Sequence, residues 1–248
     1  MIDPTSRLGR FVGAGGIRAV LLDIEGTTTP ITFVHERLFS YARASVRTFL
    51  ARTVETDPDI RHILEGLRVE HARDLDRGEA PPSWPDPSAG ASANADAASA
   101  YVGWLIDRDR KSGPLKALQG RIWEGGYATG ALQGEVYADV PATLRAWTAR
   151  GVRVGIFSSG SVLAQQLLFT HSTAGDLSPF LTWYFDTAIG PKRDPDSYRR
   201  IAAQIDIPPD GILFLSDTPE ELDAARTAGL RTRLVVRESG DTLDSVRT

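Results

Sequence analysis

Two carboxylates, Asp23 and Glu25, end the aliphatic run IRAVLLDI (17–24), and Gly26, Thr27, Thr28 and Thr29 follow at once. Acids packed together repel one another unless a cation lies between them, and a donor set made only of oxygen suits Mg2+. An aspartate carboxylate can also attack phosphorus and form an acyl phosphate. Three later stretches carry matching chemistry. SSGS (158–161) offers small hydroxyls and, at a helix opening, backbone N–H groups suited to a phosphate. Lys192, in GPKRD, supplies a point charge to that phosphate or to the carboxylates. SDTPEE adds Asp217 and, four residues on, Glu221. Each stretch alone has a plainer reading: a solvated acidic turn, a serine helix cap, a surface lysine, acids that favour a helix dipole. Their force lies in appearing in this order at the ends of successive strands.

Those strands are legible. Residues 17–24 read as a strand buried on both faces, and 152–157, 183–189, 211–216 and 232–237 as further strands. Helical stretches at 142–150, 161–171, 195–205 and 219–229 alternate with the last four. Pro141 and Gly151 bracket the first of these helices. Such alternation implies right-handed crossovers and a doubly wound parallel sheet, whose ligands bind beyond the carboxyl ends of the strands. Between the first strand and about residue 136 the periodicity is helical throughout, at 33–52, 59–75, 94–111 and 114–127. In the first of these, Leu38, Ala42, Ser45 or Val46, and Phe49 trace one face. The fold class is therefore α/β, a doubly wound core of residues 1–30 plus 136–248, interrupted by an all-helical domain at 31–135. Residues 77–93 carry four prolines and little periodicity and read as an exposed loop.

Composition narrows the partners. A hydrophobic share of 42% and a charged share of 24% are those of an ordinary globular chain. The net charge of −4 argues against nucleic acid as a partner, and no apolar run reaches the ~20 residues that span a bilayer. The start of the chain lacks the apolar region of a secretory signal, and with no cysteine there is no disulfide framework. A cytoplasmic monomer acting on a small anionic molecule is the expectation. His35, His62, His71 and His171 are scattered and read as mostly exposed helix residues, without zinc-ligand context. The five tryptophans read as packing residues, and GGYATG (125–130) follows no strand, so it is no dinucleotide fingerprint.

The stretches LLDIEGTTTPI, LQGRIWEGGY, GEVYADVPATLRAW, FSSGSVLAQQLLF, GDLSPF, YFDTAIGPKRDPDSY and ILFLSDTPEELDAA resemble the haloacid-dehalogenase-like phosphatases and, within them, the enolase-phosphatase family of methionine salvage. They run from about residue 17 to 237. The resemblance implies a helical cap domain that closes over the site. It makes Asp23 the nucleophile and a ligand of one Mg2+ per subunit, places Glu25 in the second acid position at the metal, and lets Asp217 complete that site. Ser158, Ser159 and Lys192 would bind the substrate phosphate, with Lys192 also catalytic. The implied substrate is a 2,3-diketo-5-methylthiopentyl 1-phosphate, first enolised and then dephosphorylated to an acireductone. Most phosphatases of the superfamily carry Asp where this chain has Glu25. The base for the enolisation stays open among Glu25, His35, Glu36 and Glu124. A phosphatase for another small metabolite would share all four stretches. A metal-free dehalogenase would not need Glu25 and Asp217, and a binding protein would not need Asp23.

Overall fold

In a computed structural model the protein is described at residues 16–110 and 112–244. The N-terminal stretch read for a signal segment lies outside them, as does Lys111, the expected last residue of one helix. The chain divides into two compact units, one formed up to Val34 and from Gln133 on, the other by His35–Leu132. In chain order, strand β1 (Ala19–Leu22) is followed by a π-helical stretch at Phe33–Phe39 and by helices α1 (Ser40–Thr53), α2 (Pro58–Asp76), α3 (Ala91–Asp107) and α4 (Gly113–Ala128). Then come α5 (Val140–Ala149), β2 (Arg153–Phe157), α6 (Val162–Thr170), β3 (Trp183–Phe185), α7 (Pro195–Ile205), β4 (Ile212–Ser216), α8 (Pro219–Thr227) and β5 (Arg231–Leu234). No helix among the described residues is long and apolar enough to cross a membrane.

The five strands form one parallel sheet in the order β3-β2-β1-β4-β5. β1 is central and buried on both faces, which is why it reads as an unbroken aliphatic run. Its ladder reaches past the strand, because the Asp23 amide donates to the Leu215 carbonyl at 3.0 Å. On one face of the sheet, Leu21, Phe157 and Phe214 pack with Tyr198, Ile201 and Ile205 of α7, spaced as one helical stripe. The Tyr198 ring lies 5.4 Å from Phe157, edge-on, and 5.2 Å from Phe214. Strand β3 is shorter than the expected 183–189. After Phe185 the Asp186 carboxylate turns the chain, accepting from the amides of Ala188 at 2.8 Å and Val162 at 3.4 Å.

The helical unit has a core of its own. Helix α1 buries Ala42, Val46 and Leu50, so Leu50 rather than Phe49 completes the stripe that starts at Leu38. The expected single helix from residue 33 opens instead as a π-helical stretch, and the Trp123 indole N–H donates to the Leu38 carbonyl at 2.9 Å. Asp57 caps α2, accepting from the Asp59 and Ile60 amides, with Pro58 in the first turn where it loses no bond. The stretch 77–93 is not simply exposed. Pro81 is buried, the Pro82 carbonyl lies 2.7 Å from His71 Nε2, and the Trp84 ring packs against His71 and Tyr101. His71 is accordingly buried, unlike the other three histidines.

Beneath that aromatic cluster Asp74 is fully buried. It accepts from the Tyr101 hydroxyl at 2.6 Å and from Arg110 Nη2 at 2.9 Å. Burial by itself would raise its pKa, but these donors and the charge of Arg110 more than offset it and hold the carboxyl below its usual value of 3.8. A depressed carboxyl stabilises fully above the usual value and loses that contribution as pH falls through its folded one. Asp74→Asn should therefore cost about 2–3 kcal/mol at pH 7, and the gap to the unaltered protein should close as pH falls below that usual value. Urea unfolding at pH 7 and pH 3 checks this, and an equal gap at both would refute it.

Candidate active site

The carboxyl ends of β1, β2 and β4 and the loop after β3 carry the residues singled out from sequence. Asp23 leaves β1 buried, at 4% exposure. Its Oδ1 accepts from Lys192 Nζ at 2.5 Å, and the same ammonium donates to Glu221 Oε2 at 2.7 Å. Ser216, the last residue of β4, completes the group. Its hydroxyl stands 3.0 Å from Glu221 Oε2 and 3.4 Å from Asp23 Oδ2, and it accepts from the Thr218 amide at 3.1 Å. A hydroxyl has one proton to give, so it serves the nearer Glu221 and leaves Asp23 Oδ2 the less committed oxygen.

Lys192 is placed by the first turns of α7. There Ser197 Oγ donates to the Pro191 carbonyl at 2.8 Å, Tyr198 OH to the Lys192 carbonyl at 2.7 Å and Arg200 to the Ile189 carbonyl at 2.7 Å. Tyr198 thus ties the lysine backbone to the sheet core. Burial would lower the pKa of the ammonium, but the charges of Asp23 and Glu221 and their hydrogen bonds outweigh it and hold Lys192 above its usual 10.5. Burial raises Glu221, with Asp23 adding to the shift and Lys192 opposing it.

Asp217 stands beside Gly26. A Cβ on Gly26 would fall 2.0 Å from Asp217 Oδ2, so only a glycine leaves that carboxylate its place, and φ of +69° at Gly26 asks for glycine as well. Thr218 does not cap α8 through its side chain but donates to Asp217 Oδ1 at 3.0 Å. Burial, and then the negative charge of Asp23, raise the Asp217 pKa. The Thr218 hydroxyl and the charge of Lys192 oppose the shift. Glu25 is half-buried in the turn, its backbone bridged to Thr29.

Ser158 and Ser159 follow β2, Ser158 buried and Ser159 half-buried. The Ser158 amide donates to the Phe185 carbonyl at 3.2 Å, and its hydroxyl accepts from the Gly160 amide at 3.3 Å. Ser161 caps α6, and Gln165 Nε2 donates to the carbonyls of Gly160 and Phe185, both at 2.8 Å. The structure thus gathers Asp23, Lys192, Ser216 and Glu221 by direct contact, and Asp217 against Gly26. Among the described residues no group of three His, Cys, Asp or Glu side chains stands ready to hold a metal ion. A metal here would take the two aspartates and complete its shell with backbone or water oxygen, as Mg2+ commonly does. Sequence reasoning left Glu221 without a role, although its place one helical turn past Asp217 was the signal. It missed Ser216, Gln165 and Asp186, which resemble ordinary strand-end and helix residues.

The charge balance of this group can be measured. A lysine with a raised folded pKa contributes in full below 10.5 and loses the contribution as pH rises through the higher folded value. Lys192→Met should destabilise the protein by about 3–5 kcal/mol at pH 7. The loss should shrink at pH 5, where the stranded acids take up protons. Chemical unfolding at the two pH values reads this directly, and an undiminished loss at pH 5 would refute the pairing.

Comparisons with known proteins show the family of the chain. Residues 17–229 match the haloacid dehalogenase-like hydrolases. The chain is 52% identical over 228 residues to the enolase-phosphatase E1 of Synechococcus elongatus, covering 92% of each. It is 45% identical over 236 residues to that of Drosophila mojavensis, covering 93% of this chain and 90% of the other. Among solved structures, the Unknown transcript 4 protein of Saccharomyces cerevisiae superposes with a TM-score of 0.70 at 34% identity, over 88% of this chain and 89% of that one. The chain belongs to the enolase-phosphatases of the haloacid dehalogenase-like hydrolase family.

Proposed function

We propose that the protein is a Mg2+-dependent enolase-phosphatase of methionine salvage. It converts 2,3-diketo-5-methylthiopentyl 1-phosphate, through its enol, to the acireductone 1,2-dihydroxy-3-keto-5-methylthiopentene and phosphate. One observation carries the reading. A buried aspartate at the end of the central strand has one oxygen engaged by an ammonium and the other less committed, near a second, half-buried aspartate whose pKa burial and that negative charge raise.

The residues fit one Mg2+ ion. Asp23 and Asp217 offer carboxylate oxygens, the Glu25 carbonyl is a main-chain oxygen of the same turn, and Gly26 keeps the space beside Asp217 clear. When bound, the ion supplies the positive charge that the acids lack and offsets charge developing on substrate oxygens. Asp23 Oδ2 is the attacking atom, its backbone held in the sheet ladder so that the approach is fixed. Lys192 holds Asp23 Oδ1 and lends its charge to the phosphoryl oxygens, while Ser158 and Ser159 receive the phosphate at the end of β2. Glu25 does proton work in the breakdown of the phosphoaspartate. The helical domain at 31–135 acts as the cap of a core made by the rest, and the protein works as a cytoplasmic monomer without nucleic acid or membrane, in keeping with its composition and net charge of −4.

Incubation with the diketone phosphate and Mg2+, following enediol absorbance and phosphate release, tests the reading. Chelation should abolish phosphate release and added Mg2+ restore it. Asp23→Asn should lower that release by roughly 10^4-fold or more while some enolisation survives. Release from simple phosphomonoesters but not from the diketone would favour a phosphatase for another metabolite. Glu25→Gln should slow breakdown of the phosphoenzyme more than its formation, so rapid acid quench with labelled substrate should find phosphate accumulated on Asp23. Near-normal turnover without accumulation would leave Glu25 a spectator.

A further inference from the structure

The turn after Asp23 is held from two sides. On the inside, the amides of Thr27, Thr28 and Thr29 all donate to the Ile24 carbonyl, at 3.1, 2.9 and 2.9 Å, and Thr28 Oγ1 donates to the Asp23 carbonyl at 3.1 Å. On the outside, the Thr27 carbonyl takes two donors from one guanidinium, Arg237 Nε at 2.8 Å and Arg237 Nη2. The next carbonyl, of Thr28, accepts from the Tyr137 amide at 2.9 Å. Arg237 lies 4.2 Å over the Tyr137 ring, pairs with Asp139 Oδ1 at 2.8 Å and donates to the Asp241 carbonyl at 3.0 Å. Its side chain is 8% exposed and that of Asp139 16%.

An arginine that served only to fasten the segment after β5 would need no more than Asp139 and the Asp241 carbonyl. This one directs half of its donor fork at a backbone carbonyl two residues beyond Glu25. At that point the threonine side chains add little to the turn's own backbone bonds, which include Gly26 N–H to the Thr29 carbonyl at 2.9 Å. The hydroxyls of Thr27 and Thr29 are buried without a hydrogen-bond partner, and Gly26 has no side chain to lock its dihedrals.

We propose that Arg237 is a positioning residue of the active site. By clamping the Thr27 carbonyl it sets the turn that presents Glu25 and brings Gly26 against Asp217. Its effect on turnover rests on the function proposed above, whereas its effect on the turn does not.

Three variants separate this from a purely structural role. Arg237→Met keeps length and contact with Tyr137 but has no donors. Arg237→Lys keeps the charge but cannot reproduce a planar fork. Asp139→Asn weakens the ion pair and leaves the bonds to Thr27. Amide hydrogen exchange should become about tenfold faster at Thr27, Thr28 and Thr29 in both Arg237 variants and stay unchanged there in Asp139→Asn. With the diketone phosphate, kcat for phosphate release should fall about tenfold to a hundredfold in Arg237→Met and Arg237→Lys, with KM shifted less than about threefold. Asp139→Asn should lose stability yet keep kcat within about threefold. If Arg237→Met does not fold, Arg237→Lys carries the same readouts. Unchanged exchange at the turn, or full kcat in a folded Arg237 variant, overturns the proposal. An unaltered protein that releases no phosphate from the diketone would refute the substrate, and the exchange comparison would then decide the role of Arg237 alone.

Discussion

Three buried or half-buried carboxylates share one ammonium. Lys192 contacts Asp23 and Glu221 directly, and Asp217 stands close enough to Asp23 for its negative charge to raise the Asp217 pKa. Charges taken out of water are tolerated only when paired, so this group sets conditions on everything around it. The strands must be parallel, so that their carboxyl ends gather the acids. The lysine must arrive from a different crossover than either acid, because a single loop could not place it between them.

The fold meets these conditions with different degrees of rigidity. Asp23 is held by the ladder of the central strand and Ser216 ends the neighbouring strand, so both inherit the stiffness of the sheet. Lys192 rests on a loop, yet three side chains from the first turns of α7 fasten the carbonyls of that loop, and one of them is the core residue Tyr198. A packing residue therefore also does positional work. The same economy appears at Gly26, where the absence of a side chain permits both the positive φ and the close approach of Asp217.

The sheet and the order of its strand ends were legible in sequence because buried parallel strands are aliphatic on both faces, and crossover handedness leaves little choice of topology. Lys192 could be placed near the acids for the same reason. What could not be read depends on contacts between distant residues. Glu221 becomes a partner of Lys192, and Ser216 a neighbour of an Asp23 that lies 193 positions away, only once the chain has folded. Trp84 pins a proline-rich stretch that has no periodicity to betray it, and His71 is buried because that stretch folds over it. The early end of β3 follows from Asp186 turning to bond two amides, a choice between competing donors that a strand propensity does not contain. Arg237 lies 210 positions from the carbonyl it grips.

The central place of β1 has a consequence for how the chain is made. Its two neighbours, β2 and β4, begin at Arg153 and Ile212, far downstream of Leu22. At ordinary rates of synthesis the first strand is complete roughly 10–40 s before the last residues it needs have left the ribosome. During that interval the chain between them can build helix–helix contacts of short sequence separation, whereas the strand that bears Asp23 has nothing to pair with. Its two neutral faces and unpaired edges are then exposed to any other strand in the vicinity. Arg18 just before the strand and Asp23 and Glu25 just after it are the charges nearest those edges. In a nascent chain they stand where gatekeeper charges discourage premature association, before Asp23 has met Lys192.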